Sequence, residues 1–326
     1  MRFNVKIPGL YLFQGHAGQS PWVRDITTED ITRVARRADE LGFDAIGVPW
    51  HVAIKRGEPE RNFGPRWPHA IAAAGFLLGA TDRIEVMPNL VVPCEPPLQT
   101  AKALATLDWM SGGRATPVLM TGYLEWEFEM LRVPYAERGP IMDEYVDAAL
   151  ELWRSEAPSF QGEYVSFEEI AFEPKPLRDP LPLWFGGRAK SALRRIARHG
   201  SGWLSYATPY AEMPATIEYI RNCPEFVADP RPLEVAAYFV EPSHDPISHA
   251  RVSEHRQLVG TEAVIEQLGY LASIGVDRTF VPIETRPGPD GKPSPVDDLE
   301  DYVERLEWFA AELLPAARGL RSPFGI

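Results

Sequence analysis

Cysteine is nearly missing from this chain, with Cys94 and Cys223 as its two thiols in 326 residues. Two cysteines so far apart exclude a disulfide framework and a cysteine-based zinc site, and no metal centre is expected. A reducing, cytoplasmic setting is the expectation. Positive charge is also short: 33 Lys and Arg face 46 Asp and Glu, a formal net charge of -13. Phosphate backbones need clustered cations, and here the cations are scattered, so no nucleic-acid partner is expected. No apolar run is long enough to span a bilayer. The first residues, Met1 to Ile7, alternate like a strand and lack the continuous apolar core of a signal peptide. No membrane partner is expected. A GxGxxG fingerprint is absent as well, which argues against a doubly wound dinucleotide-binding sheet.

What is present is a repeated grammar. A helix ends, a glycine follows and an apolar strand begins at Gly42, at Gly200 and at Gly275. Each glycine fits the position just past a helix, and each following run suits a strand buried on both faces of a parallel sheet. Adding residues 3–7, 84–92, 116–120, 183–185 and 235–240 brings the strands to eight, with helical segments between them. Eight such units predict a single closed α/β barrel, the (β/α)8 TIM barrel, as one domain over residues 1–326 with insertions at its carboxyl-terminal face. Residues 52–65, 123–140, 159–180 and 284–295 are the long connections; the first two are expected to act as lids, residues 160–167 as a small hairpin, and residues 286–291 as an exposed loop.

The most informative stretch is 101–153. An apolar helix stops at Ser111-Gly112-Gly113, a buried strand follows through Met120, and an aromatic, charge-rich connection leads to a helix expected near Ile141. Its motifs are Ala105-Thr106-Leu107-Asp108, Ser111 to Arg114, Pro134-Tyr135-Ala136-Glu137-Arg138-Gly139 and Asp143-Glu144-Tyr145. Further along come Pro174-Lys175-Pro176, Pro182-Leu183-Trp184-Phe185-Gly186-Gly187 and Gly200-Ser201-Gly202-Trp203. In this order they resemble the luciferase-like monooxygenase superfamily, whose members use flavin or the deazaflavin coenzyme F420. The likeness covers most of the chain and is closest to the F420-dependent branch.

The active site of such a barrel lies at the carboxyl ends of its strands. Gly186 and Gly187 precede a helix through Ala189, so backbone N–H groups at its amino terminus, with Arg188 and Ser191, suit a phosphate. The resemblance implies the cofactor phosphate there. His51 follows the second strand where many relatives carry an Asp-His or Glu-His pair near the cofactor ring. Trp50 replaces the acid, and His51 is the candidate proton donor or ring anchor. Asn89, at the expected end of the third strand, and Thr121 and Gly122, at the end of the fourth, are candidate ring contacts. Relatives often place a nonprolyl cis peptide in the third strand. Trp50, Trp67, Tyr123 and Trp126 are the expected aromatic mouth of a substrate pocket. Glu125, Glu127, Glu129, Glu137 and Arg138 read as a solvated charge cluster with capping roles, and Cys94 as an unreactive thiol.

Two departures stand out. Glu95 lies where many relatives have arginine, and Thr116 to Met120 replaces a more glycine-rich strand. No arginine lies near Thr121, where bacterial luciferases place one for flavin phosphate. The resemblance implies hydride transfer between F420 and a small organic substrate, with FMN-dependent oxygenation as the alternative, and homodimerisation through an apolar helix at 67–78. Rival readings are an inactive or merely flavin-binding barrel, and a lyase or isomerase of a phosphorylated metabolite. The latter wants a lysine at a strand end, and Lys55, Lys102, Lys175 and Lys190 do not supply one.

Overall fold

The computed structural model describes residues 1–10, 21–55, 66–206, 208–239, 258–288, 291–292 and 294–324. Eight strands form the expected closed parallel barrel: β1 (Arg2–Val5), β2 (Ala45–Val48), β3 (Glu85–Val91), β4 (Val118–Met120), β7 (Trp184–Gly186), β8 (Gly202–Leu204), β9 (Glu234–Ala237) and β10 (Arg278–Phe280). They pair in that order, and β10 closes on β1 with Asn4 opposite Phe280. Two further short strands, β5 (Phe160–Gln161) and β6 (Ser166–Phe167), form the expected antiparallel hairpin. Glu144 fastens it by accepting from the backbone N–H groups of Glu163, Tyr164 and Val165 at 2.9, 2.7 and 2.8 Å.

Helices lie between the strands. They include α1 (Thr28–Glu40), α2 (Ala70–Ala80), α3 (Pro97–Met110), α4 (Glu125–Leu131), α5 (Arg138–Arg154), α6 (Lys190–His199), α7 (Met213–Arg221), α8 (Pro224–Ala228), α9 (Thr261–Ser273), α10 (Leu299–Glu312) and α11 (Leu314–Ala317). The start of α1 follows from its sequence. Thr27 accepts from the Asp30 N–H while the Asp30 carboxylate accepts from the Thr27 N–H, a reciprocal cap.

Strand residues alternate between two cores. Outward-facing Phe3, Ile46, Val86, Leu119, Phe185, Trp203 and Val235 join the helices, whereas Ala45, Met87, Val118, Trp184, Leu204 and Ala236 fill the barrel with Met120 and Phe280. At the amino-terminal end the barrel is plugged by Arg278. It donates to Glu234 at 2.8 Å, to Asn4 at 3.0 Å and to Glu85 at 3.2 Å, which ties β10 to β9, β1 and β3. Burying this guanidinium is tolerable because its donors meet carboxylates and an amide.

Several boundaries depart from expectation. The fourth strand begins at Val118, because Ala115 makes only an isolated bridge to Val86. The third strand runs past Asn89 to Val91, so Asn89 lies within it, opposite Val118. The seventh barrel strand, expected over 235–240, spans Glu234–Ala237, and Val240 lies outside the described residues. Gly42 and Gly275 have φ of 81° and 101°, as a helix-ending glycine should. Gly200 does not, with φ of -78°; there a Cβ would come within 2.9 Å of the Ile196 carbonyl, so closeness rather than handedness asks for glycine. The connection at 123–140 is not a bare loop: α4 and a 3-10 turn (Tyr135–Glu137) occupy it, and α5 starts at Arg138 rather than near Ile141. Residues 56–65 of the other expected lid, and Pro289 and Asp290 of the expected exposed loop, lie outside the described residues.

Candidate active site

The carboxyl-terminal mouth gathers its groups from strand ends that are remote in sequence. Three residues beyond β2, His51 turns Nδ1 toward Glu127, 3.2 Å from both carboxylate oxygens. Glu127 is 3% exposed. It also accepts from the Val52 backbone N–H at 3.1 Å, which aligns the carboxylate with the backbone that carries His51. The expected solvated role of Glu127 is therefore corrected: Trp126-Glu127-Phe128 sits on α4, and the turn of that helix points the acid inward while Glu125 and Glu129 remain exposed. The acid partner that Trp50 had displaced from its usual place arrives from another element.

A carboxylate facing Nδ1 favours the Nδ1–H tautomer, and Nε2 is then the nitrogen that exchanges a proton. The Trp67 ring meets the imidazole edge-on at 4.5 Å between centroids, and Tyr123 does so at 6.2 Å. Both belong to the expected aromatic mouth, although Trp67 precedes α2 rather than lying in the helix expected at 67–78. Trp50 is buried, and its indole N–H donates to Glu95 at 2.5 Å. So the glutamate that stands where relatives carry arginine has a partner of its own. Trp126 is half-buried, and its indole nitrogen is buried without a hydrogen-bond partner. Burial, then Glu127 and Glu95, push the Cys94 thiol up to about 12, as its unreactive assignment requires.

Among the glycines, Gly122 has φ of 80°, and a Cβ there would come within 2.6 Å of Val91 and 2.8 Å of Phe128. Packing and a turn account for it. Thr121 directly follows β4. Gly186 faces the barrel interior, where a Cβ would lie 3.1 Å from Met120, and Gly187 has φ of 116° and accepts from the Trp203 indole at 2.9 Å. Helix α6 then opens at Lys190, one residue later than expected, with Ala189 at its cap and no side chain capping it. Ser191 and Arg188 are exposed beside those open N–H groups. A helix start with uncapped donors, an arginine and a hydroxyl fits a phosphate group. The cis peptide bonds of the described residues are Glu173-Pro174 and Asp179-Pro180, so Asn89 and its neighbours in β3 are trans.

One inward group had escaped the sequence reading. Lys6 follows β1, two residues beyond the inward-facing Asn4, and its ammonium lies over the rings of Tyr238 and Phe280 at 5.3 and 5.2 Å. The alternation of β1 was a signal that could have found it. A cavity of about 400 Å³ lies at the opposite end of the barrel, lined by Arg2, Asp44, Glu85, Arg278 and others. Its charges already serve the interior plug, and it is remote from the strand ends where chemistry concentrates.

A closed eight-stranded α/β barrel carries a histidine–carboxylate pair and an uncapped helix start at one mouth. Residues 1–267 match the family model of the luciferase-like monooxygenases, and the chain belongs to that family of flavin- and F420-dependent oxidoreductases. It is 32% identical over 175 residues to an FMNH2-dependent dimethylsulfone monooxygenase of Pseudomonas putida, a stretch that covers 52% of this chain and 46% of that relative. In fold it resembles a monooxygenase from Streptomyces bottropensis, with a TM-score of 0.75, 19% identity, and coverage of 97% and 99% of the two chains. An F420-dependent secondary alcohol dehydrogenase, solved with an F420-acetone adduct, superposes with a TM-score of 0.69 at 18% identity over 98% and 100%. Among the described residues no helix is long and apolar enough to cross a membrane, and no cluster of potential metal ligands occurs.

Proposed function

We propose that this chain exchanges hydride between coenzyme F420 and a small organic alcohol or carbonyl compound. The observation that carries the reading is the His51–Glu127 pair beside the mouth. Oxidation of a C–OH group to C=O releases a hydride and a proton, and the proton needs a base held in place. When bound, the cofactor supplies the hydride acceptor or donor. His51 takes the hydroxyl proton at Nε2, or returns it in the reverse direction. Glu127 holds the ring and stabilises the imidazolium that forms. The helix start at Lys190, with Arg188 and Ser191, would hold the cofactor's phosphate-bearing tail, and Asn89 within β3 and Thr121 just past β4 are the candidate ring contacts. Trp67, Tyr123, Trp50 and Trp126 form the aromatic side of the pocket and keep water away from the transfer.

A second reading, oxygenation by reduced FMN, draws support from the dimethylsulfone monooxygenase relative. It uses the same pocket. Homodimerisation through α2 and α3 belongs to the proposal too: α2, AIAAAGFLLGA, is apolar on every side, yet Phe76 is exposed, as are Trp109 and Met110 on α3. The deciding experiment is an anaerobic titration of the protein with oxidised and reduced F420 and FMN, alongside Arg188→Glu. Saturable F420 binding weakened about tenfold or more by the added charge supports the proposal. Binding of FMN alone selects the second reading, and binding of neither by folded protein overturns both.

A further inference from the structure

The pocket contains a cation that neither hydride transfer nor the phosphate-suited helix start uses. Lys6 leaves the end of β1 toward the barrel axis, in the layer where Phe280, Met120 and Leu204 form the floor. The Lys6 side chain is exposed to solvent, with protein on the sides that Tyr238 and Phe280 form. Among the described residues its ammonium has no hydrogen-bond acceptor or ion-pair partner; its neighbours are the faces of Tyr238 and Phe280, which stack on each other at 5.1 Å. In a chain with 46 acidic residues, a lysine at a strand end without an acidic partner among the described residues is an arrangement that the sequence could readily have neutralised.

We propose that Lys6 receives the carboxylate of an organic-acid substrate, whose apolar body lies against the Tyr238 and Phe280 rings. This rests on the reading of the mouth as the substrate pocket. An ammonium held over two ring faces, with no acceptor among the described residues, gains one from an incoming carboxylate, and the bond formed is charge-assisted. Burial pushes the Lys6 ammonium below the ordinary lysine range, with Glu284 acting against that from a distance. A bound anion favours the charged amine. The molecule's net negative charge repels anions at long range, so selection depends on this local cation. The rings add a flat apolar wall, which favours an aromatic or otherwise compact acid over a long flexible one.

Benzoate and its neutral isostere benzamide are suitable probes, titrated into the full-length protein by ligand-observed NMR or calorimetry. Wild type is expected to prefer benzoate by about tenfold or more. Lys6→Met should abolish the preference and Lys6→Arg should keep it; Lys6→Gln, polar and of similar length, serves if the methionine variant does not fold. Equal binding of the two probes by wild type, binding of neither, or a preference that survives in Lys6→Met or Lys6→Gln overturns the proposal. Cofactor titrations of the same variants complete the test. Unchanged F420 or FMN affinity is expected, whereas loss of it would assign Lys6 to the cofactor and equally overturn the proposal. A wild-type protein that selects benzoate but binds neither cofactor would retain the acid-binding site and refute the redox reading alone.

Discussion

Removing the proposed base and removing the carboxylate beside it have different expected consequences. His51→Asn should lower the rate of hydride transfer by about 10²- to 10⁴-fold, with cofactor affinity nearly unchanged. Glu127→Gln keeps a hydrogen bond to Nδ1 but loses the carboxylate charge. Its rate should fall by roughly tenfold or more. Single-turnover kinetics separate the two; a Glu127→Gln variant with the wild-type rate would show that the carboxylate only packs. His51 stood out in the sequence because it lies just past an apolar strand, three residues beyond where β2 ends. Its acid did not. A glutamate in a run of alternating charge looks solvated until the helix that carries it has been placed, and the same is true of Glu95, whose partner Trp50 lies 45 positions away. Lys6 was hidden differently, because a strand-end lysine shows its direction only once the barrel defines an inside.

At the scale of elements, the strands were readable because parallel barrel strands are short apolar runs punctuated by glycine. All eight appear, with ends displaced by one to three residues. The connection between β4 and α5 was misread as a loop because α4 has only seven residues, too few to display a helical period. Gly122 illustrates how an element end can imitate a ligand contact. Gly122→Ala should destabilise the protein by about 2–4 kcal/mol in the absence of any cofactor, since both its φ and the Val91 and Phe128 side chains oppose a Cβ. Urea unfolding checks this, and a neutral substitution would return Gly122 to the list of ring contacts.

For the whole molecule, stability should vary with pH through Asp277, at the start of the strand that closes the barrel. Burial and then Glu234 raise its carboxyl to about 6, although the Val235 N–H, Arg221 and the terminal amine act against this. The folded state therefore binds this proton more tightly than the unfolded chain does. That contribution is complete below about pH 4 and is lost as pH rises through 6. Asp277→Asn should match wild type near pH 4 and exceed it by about 1 kcal/mol at pH 7, after allowance for partial exposure. Equal pH dependence of the two denaturation curves would refute this. The apolar outer side of α2 and α3 belongs to the same scale. Phe76→Glu with Met110→Glu should convert a dimer to a monomer in sedimentation velocity without lowering cofactor affinity, whereas an already monomeric wild type would remove the dimer from the proposal.

The separation of His51 from Glu127 by 76 positions also has a consequence for inheritance. Two groups encoded in neighbouring codons pass together through any recombination. These two sit on segments that a crossover between β2 and α4 divides, so a descendant can acquire the imidazole from one parent and the carboxylate from another. Chimeras that exchange only the β4-to-α5 segment among related barrels would therefore vary the proton-handling pair while leaving the strand that carries the histidine untouched, and its activity could drift by exchange of a single short insert.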